Sequence, residues 1–184
     1  MDAINELRNE HQAILMTLSI LERMIHRIKE VPEGQVVEHL GRLVEFFKIF
    51  VDKCHHGKEE DLLFPALMKI GVSKHGGPIG VMLAEHDEGR GYIRELQAGL
   101  DQLKKGNPDS VGRIDQSAAN YISLLRAHIE KEDTVLFPIA EANLSFDKQS
   151  QLYKAFQKLE IEKIGAGRHE ELHGLLDQLK SIYL

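Results

Sequence analysis

Two stretches of the sequence each carry a histidine and a glutamate four residues apart. His55 precedes Glu59 in the first, His128 precedes Glu132 in the second, and both stretches end in Leu-Phe-Pro. Residues four apart lie on the same face of a helix, so each pair would present an imidazole beside a carboxylate. Iron, manganese and zinc all accept this combination of ligands, and the repeat therefore predicts a metal site.

Two further histidines extend the repeat to the helices that precede these pairs. The dipeptide Glu10-His11 recurs as Glu85-His86, and all four histidines interrupt apolar residues at helical spacing. One buried histidine is normally a hydrogen-bonded structural residue. Four at repeated positions favour metal binding, because buried ionisable groups are costly unless they are paired or coordinated. The predicted ligands are His11, His55, Glu59, His86, His128 and Glu132.

The polar residues beside these positions are second choices as ligands. His56 and Glu60 continue the face of the second predicted helix that carries Asp52, which is the wetter face, so we expect them at the periphery of the site. Asp133 is the alternative to Glu132.

The two glutamates of the repeat can each bridge two metal ions. Two six-coordinate ions have about twelve positions, of which four histidines, two bridging glutamates and a bridging oxo or hydroxo group occupy about ten. The remaining positions on a redox-active metal would admit dioxygen, nitric oxide or peroxide.

Helical periodicity accounts for most of the chain, and strand signals are almost absent. The pattern predicts long helices over about residues 3–29, 40–62, 79–103 and 111–139 and shorter ones over about 146–164 and 167–183. Pro65 is expected to kink the second helix or to begin its last turn. Because short loops make long helices antiparallel neighbours, we predict an all-α, up-down-up-down four-helix bundle over about residues 3–143. Two additional C-terminal helices over about 146–183 would complete a single domain of residues 1–184.

The composition excludes several classes of partner. With a net charge of -6 and a pI near 5.9, the chain is suited neither to nucleic acid nor to an anionic membrane. We find no apolar run long enough to span a bilayer and no N-terminal signal segment. The single cysteine, Cys54, cannot form an internal disulfide, which favours a reducing, cytoplasmic location.

The ordered set of a histidine, a His-x-x-x-Glu pair, a second histidine and a second pair resembles the hemerythrin-like family, in particular its bacterial HHE cation-binding branch. The resemblance covers roughly residues 3–143 and includes the Leu-Phe-Pro endings. It implies a four-helix bundle around a non-haem di-iron centre, bridged by two carboxylates and an oxygen species, with the six predicted ligands on the metal. Zinc and manganese also suit these ligand types.

The chain departs from the oxygen-carrying members of that family at two positions. Those proteins have a second histidine four residues after the third-helix histidine, where this chain has Arg90. They also place the fourth-helix carboxylate five residues after its histidine, which would select Asp133, although the internal repeat favours Glu132. The missing histidine argues against reversible oxygen carriage. Water, His56, Glu60 or another group would occupy its position on the metal. Among the surrounding residues, Glu85 and Arg90 are expected to orient ligands or neutralise charge.

Three functions are compatible with the sequence. The first is a protein that binds or senses dioxygen or nitric oxide, or that handles iron or peroxide. The second is an enzyme with the same centre that decomposes peroxide or repairs iron–sulfur centres, for which the sequence shows no general acid, nucleophile or substrate pocket. The third is a helical scaffold without metal function. Ferritin-like proteins carry Glu-x-x-His on two helices, an order that is absent around these four histidines.

Three other features have alternative interpretations. The stretch from His169 to His173 matches the His-Glu-x-x-His pattern of zinc proteases, but without a third ligand it is better explained as an amphipathic helix that could line an entrance to the metal site. Cys54 is either a redox-sensitive thiol or an inert buried one. Tyr121, seven residues before His128, either packs in the core or donates a hydrogen bond to a ligand of the metal.

Overall fold

The computed structural model describes residues 2–184, and these residues form helices joined by short connections, with no strand among them. The α-helices are α1 Ala3–Glu30, α2 Gln35–Phe46, α3 Phe64–Lys69, α4 Pro78–Lys104, α5 Val111–Lys131, α6 Phe137–Asn143, α7 Phe146–Ile164 and α8 Arg168–Tyr183. A short 3₁₀ turn, Pro108–Ser110, leads into α5.

Four rods make up the predicted up-down-up-down bundle. The first and third rods are α1 and α4, the second is α2 continued into α3, and the fourth is α5 continued into α6. The chain is helical without interruption from Gln35 to Lys69 and from Val111 to Asn143, because π-helical turns connect the α-helical parts of each rod. The all-α four-helix architecture predicted from periodicity is confirmed.

A π-helical turn leads into each of the two Leu-Phe-Pro endings, and the second rod has a further one upstream. In the second rod they span Phe47–His56 and Glu59–Leu63, and in the fourth rod Glu132–Leu136. The backbone N–H of Phe64 bonds the carbonyl of Glu59, five residues back, and Phe137 does the same with Glu132. Proline lacks an N–H and its ring clashes with the preceding α-turn. The wider π-turn accommodates Pro65, and the rod continues beyond it as α3.

Two apolar clusters fill the bundle, one towards each end. The larger lies around Ile14, Leu40, Phe47 and Leu100, and the smaller around Leu7 and the residues near both Leu-Phe-Pro endings. Along α1, His11 falls between Leu7 of one cluster and Ile14 of the other. The bundle therefore places a layer of ionisable side chains between two hydrophobic cores.

Gly99 sets the distance between α4 and α5, the pair of helices with the most extensive contact. A Cβ atom added at this position would lie 2.8 Å from Cγ1 and 3.4 Å from the backbone nitrogen of Ile114. Both helices can approach this closely only because residue 99 has no side chain.

The C-terminal helices α7 and α8 pack against α1, and α7 also covers the π-helical turns of the second rod. Leu152, Phe156 and Leu159 of α7 and Leu172, Leu176 and Leu179 of α8 form their buried faces. None of the helices described here has an apolar stretch of the length needed to cross a membrane.

Candidate metal centre

All six predicted ligands are buried at the middle of the bundle, each with at most 1% of its surface exposed. Each of the four rods contributes a histidine, and the second and fourth rods each add a glutamate one turn later. The ligating atoms form two groups, and within each group they lie within 4.8 Å of one another. One group is His11, His55, Glu59 and Glu132, and the other is His56, Glu59, His86 and His128.

The two glutamates lie between the groups. Glu59 Oε1 is 3.6 Å from His55 Nε2 and its Oε2 is 3.4 Å from His86 Nε2. Glu132 Oε2 is 3.2 Å from His11 Nε2 and 3.4 Å from His128 Nε2. Each carboxylate therefore contacts histidines of both groups, as a ligand that bridges two metal ions would.

The polar atoms at the centre have few hydrogen bonds of their own. Both carboxylate oxygens of Glu59 and of Glu132, Nε2 of His11 and both ring nitrogens of His56 are buried without a hydrogen-bond partner among the described residues. Buried polar groups are normally satisfied, so a convergent set of unsatisfied nitrogen and oxygen atoms requires an explanation. Imidazole nitrogens and carboxylate oxygens are the donor set of iron, manganese and zinc, and the residues present fit such ions.

Four of the histidines are held from behind by a carboxylate of another helix. His55 Nδ1 donates to Glu10 at 2.8 Å, and His128 Nδ1 donates to Glu85 at 2.9 Å. His86 Nδ1 donates to Glu60 at 2.7 Å, and His11 Nδ1 donates to Asp133 at 3.0 Å. These bonds fix the tautomer and direct Nε2 towards the centre, which is the usual arrangement behind metal-bound imidazoles.

A cation backs each of these carboxylates. Lys58 bonds Glu10, Lys131 bonds Glu85, Arg90 bonds Glu60 at 2.6 Å, and Arg8 lies 3.9 Å from Asp133. The first two pairs are related by the internal repeat, but their surroundings differ. Lys58 is fully buried and also contacts Glu6 and Glu160, whereas the side chain of Lys131 is 41% exposed.

Charges at the centre shift several pKa values. Burial lowers the pKa of His55 and of His56 well below 6.5, with neighbouring histidines adding to the effect. Burial also acts to lower the pKa of His11, but hydrogen bonds to Asp133 and Glu132 raise it to about 10. Burial and the nearby Glu132 charge raise the pKa of Glu59 well above 4.5. For Glu132 burial acts in the same direction, yet the surrounding histidines hold its pKa at about 2.

Metal ions bound at the centre would replace the protons of His11 and Glu59, whose pKa values are raised.

The expectation that His56 lies at the periphery is wrong. His56 is buried with 4% exposure, its ring stacks on His86 at 3.8 Å between centroids, and it belongs to the second ligand group. The π-helical turn explains the difference. A π-turn takes up more residues than an α-turn, so a face extrapolated at α-helical spacing does not hold through Phe47–His56.

The other second-choice ligands lie outside the convergent set. Glu60 and Asp133 accept hydrogen bonds from Nδ1 of His86 and of His11, on the side of each ring away from the centre. Glu85 and Arg90 occupy corresponding outer positions behind His128 and Glu60. Tyr121 contacts none of the six predicted ligands directly, and its ring packs edge-on against Phe47 at 5.0 Å.

Sequence reasoning missed four residues that stabilise the ligands. Glu10, Lys58 and Arg8 complete the outer contacts of His55 and His11, and Lys131 completes those of His128. Three of them had a signal in the repeat, because Glu10 aligns with Glu85, and Lys58 aligns with Lys131. Arg8 has no counterpart in the repeat.

The two remaining features lie beside the centre. Cys54 is buried and burial raises the pKa of its thiol to about 12, so it is inert at neutral pH. His169 and His173 pack against each other and against Phe50 in tilted and edge-on orientations. A protease-type zinc site would need both histidines and a third ligand at one ion, and the group of possible ligands here is Glu10, Glu160 and His169, without His173.

Comparison with known proteins supports a metal-binding role. The family described as hemerythrin HHE cation binding domain matches residues 2–140. Uncharacterised proteins of Mycobacterium tuberculosis and Mycobacterium bovis are 24% identical over 181 residues, which cover 98% of this chain and 70% of each relative. The iron-sulfur cluster repair protein YtfE of Yersinia pestis is 26% identical over 144 residues, which cover 74% of this chain and 62% of that protein.

Proposed function

The chain belongs to the hemerythrin HHE cation-binding family, and from this premise we propose that it holds two iron ions and binds a small ligand at them. The ligands proposed for the iron are His11, His55, Glu59, His86, His128 and Glu132, with His56 as the seventh. Two bound iron ions would supply redox chemistry and attachment points for dioxygen, nitric oxide or peroxide.

One observation carries the proposal. Seven buried side chains direct nitrogen and oxygen atoms into one small volume. The carboxylate oxygens of Glu59 and Glu132, both ring nitrogens of His56 and Nε2 of His11 have no hydrogen-bond partner among the described residues. A protein in which apolar residues replace such a polar layer is often equally or more stable. The layer is therefore better explained by metal binding than by a contribution to stability.

The protein's own residues perform three tasks at this site. Glu59 and Glu132 supply negative charge between the two groups of imidazoles. The carboxylates behind the histidines keep the rings oriented and raise their basicity as ligands. The apolar clusters on both sides limit the access of water to the centre.

Metal analysis tests the proposal directly. Protein reconstituted with Fe(II) under argon should contain about two iron ions per chain and should change its absorption spectrum when nitric oxide is added. The variant His86→Leu should lose iron. The control His26→Leu changes an exposed histidine of α1 and should keep it.

The same experiment separates metal binding from a purely structural bundle. If the histidines are only a polar core, Fe(II) stabilises neither wild type nor His86→Leu, because there is no metal to lose. Wild-type protein that takes up no Fe(II) and is not stabilised by it would refute the proposal.

Iron–sulfur cluster repair is the second candidate function, and the Yersinia relatives of that name favour it. It is tested by adding the iron-loaded protein to a hydratase whose [4Fe–4S] cluster has been damaged by nitric oxide. Repair should restore hydratase activity with wild-type protein and not with His86→Leu, whereas a binder or sensor restores none.

A further inference from the structure

A cavity of about 170 Å³ adjoins the metal centre between α4, α5 and the π-helical turn Phe47–His56. His56 belongs both to the wall of this cavity and to the second ligand group, so one imidazole ring separates the cavity from the centre. A larger groove between α1 and α5 is lined by none of the predicted ligands.

The cavity is lined by buried apolar residues and by charged residues that reach solvent. The buried ones are Phe47, Gly89, Ile93 and Tyr121, and the charged ones are Lys48, Asp52, Arg90 and Arg94. A water molecule takes up about 30 Å³ of the liquid, so the volume admits only a molecule of a few heavy atoms. The apolar lining favours an uncharged one, because a charge would lose its hydration inside.

His56 is the least restrained of the five histidines. The other four donate Nδ1 to a carboxylate at 2.7 to 3.0 Å. The Nδ1 atom of His56 is 3.7 Å from Asp52, whose carboxylate already accepts a hydrogen bond from Arg90 at 2.7 Å. No carboxylate therefore fixes the orientation of the His56 ring, and the cavity lies beside it.

The Tyr121 hydroxyl is a free hydrogen-bond donor at this cavity. Tyr121 lines the cavity, and no side chain within residues 2–184 makes a hydrogen bond with its hydroxyl. Burial, with a smaller contribution from the charge of Asp52, raises the pKa of the phenol, so the group keeps its proton at neutral pH. A ligand with one acceptor atom would satisfy it.

We infer that a small uncharged ligand with one hydrogen-bond acceptor reaches the centre through this cavity, accepts a hydrogen bond from Tyr121 and displaces His56. The inference rests on the proposed function, because it assumes metal at the two ligand groups. The His56 end of the centre has three imidazoles and contacts to both glutamates. Together with a bridging oxo or hydroxo group, these five donors would fill all six positions of an ion there. A ligand would then bind only in place of one of them, and His56 is the histidine whose ring no carboxylate holds.

Xenon tests the cavity without any metal. Crystals of the metal-free protein under xenon pressure should show a xenon atom in the cavity that Phe47, Gly89 and Tyr121 line, since apolar cavities of this size bind xenon. Gly89→Leu should abolish that site, because a Cβ atom at residue 89 already lies 3.5 Å from Tyr121 Cε2. Gly91→Leu is the matched control on α4, where an added Cβ meets only the end of Arg94.

Nitric oxide binding tests the route to the centre. In iron-loaded protein, Gly89→Leu should slow nitric oxide association by about ten-fold or more in stopped flow, and Gly91→Leu should leave it within about two-fold. Tyr121→Phe keeps the ring but removes the donor, so dissociation should be about five-fold faster. His56→Ala should speed association, because no imidazole has to be displaced.

The outcomes separate this inference from the proposed function. Absence of xenon from wild-type crystals, or unchanged nitric oxide association in fully iron-loaded Gly89→Leu, would overturn the cavity route. If Gly89→Leu fails to fold, Gly89→Ala places a single methyl group against Tyr121 and should weaken xenon binding. A wild-type protein that takes up no iron would refute the proposed function, while the xenon result would still report on the cavity.

Discussion

Five imidazoles face the centre, and only four are held by a carboxylate from behind. His86 is held by Glu60 at 2.7 Å, whereas His56 has no hydrogen bond at either nitrogen. Outer contacts of this kind typically change metal affinity 10- to 100-fold, so the two histidines of one ligand group should contribute unequally.

Substitution of these two histidines should therefore have different effects. We expect His56→Leu to lower the affinity for one of two Mn²⁺ or Fe²⁺ ions while both still bind at saturation, and His86→Leu to abolish binding of that ion. Titration calorimetry with elemental analysis measures both. Equal losses of metal affinity in the two variants would show that the carboxylate behind His86 does not make it a stronger ligand than His56. The control His26→Leu should keep the affinity of the wild type.

Lys58 and Lys131 offer a comparison of burial at equivalent positions. Lys58→Met leaves the buried Glu10 and the half-buried Glu160 without their cation, which should cost about 3–5 kcal/mol of unfolding free energy. Lys131→Met removes a side chain that is 41% exposed, and the cost should be at most about 1 kcal/mol. Urea denaturation of the metal-free variants gives both values. Similar losses would mean that the buried cluster around Lys58 is not an important source of stability.

At the scale of single elements, the π-helical turns decide which side chains reach the centre. His55, His56 and Glu59, in and directly after the turn Phe47–His56, all lie inward. The periodicity of Leu40, Val44 and Val51 correctly predicted the rod, and the repeat correctly brought His55 and Glu59 into its interior. The inward position of His56 was not predictable from side-chain spacing, because the spacing itself changes where the backbone hydrogen bonds shift by one residue.

The residues around the ligands were predictable only in part. Glu85 was identified from its place beside His86, and Arg90 from its place where related oxygen carriers have a histidine. The structure places both in contact with the groups around the centre. The partner of a histidine on another helix depends on how the rods are aligned, and a sequence read one helix at a time does not contain that information. Arg8 and its contact with Asp133 are the clearest example.

The close approach of α4 and α5 at Gly99 gives a prediction about packing. Gly99→Ala would place a methyl group 2.8 Å from Ile114, and the resulting overpacking should cost about 1–3 kcal/mol despite the gain in helix propensity. Gly91→Ala in the same helix meets no such contact and should stabilise the protein by up to about 1 kcal/mol. Thermal or urea unfolding of both variants tests this, and a neutral Gly99→Ala would show that the helices can separate slightly at no cost.

At the scale of the whole molecule, the pKa shifts predict how stability depends on pH. His55 and His56 have pKa values below 6.5 in the folded protein, so their contribution is present above pH 6.5 and is lost as the pH falls. The pKa of His11 is raised to about 10, so its contribution is present below pH 6.5 and is lost as the pH rises towards 10. Glu59, with its raised pKa, acts in the same direction as His11.

The metal-free protein should therefore be most stable near neutral pH, with stability falling on both sides. Metal binding removes the protons of His11 and Glu59, so the loss on the alkaline side should disappear in the metal-loaded protein. Melting temperatures of both forms between about pH 5 and pH 10 measure the effect. If the metal-loaded protein also loses stability as the pH rises above neutral, that loss comes from groups outside the centre.

The ionisable layer between the two apolar clusters has a consequence for how the protein unfolds. Each cluster has its own hydrophobic contacts, and the layer that separates them contains buried carboxylate and imidazole atoms without hydrogen-bond partners. The two ends of the bundle should then open as separate cooperative units, each with its own protection against hydrogen exchange. Metal ions that bind all four rods would join these units, so that amides at both ends exchange only through a single global opening.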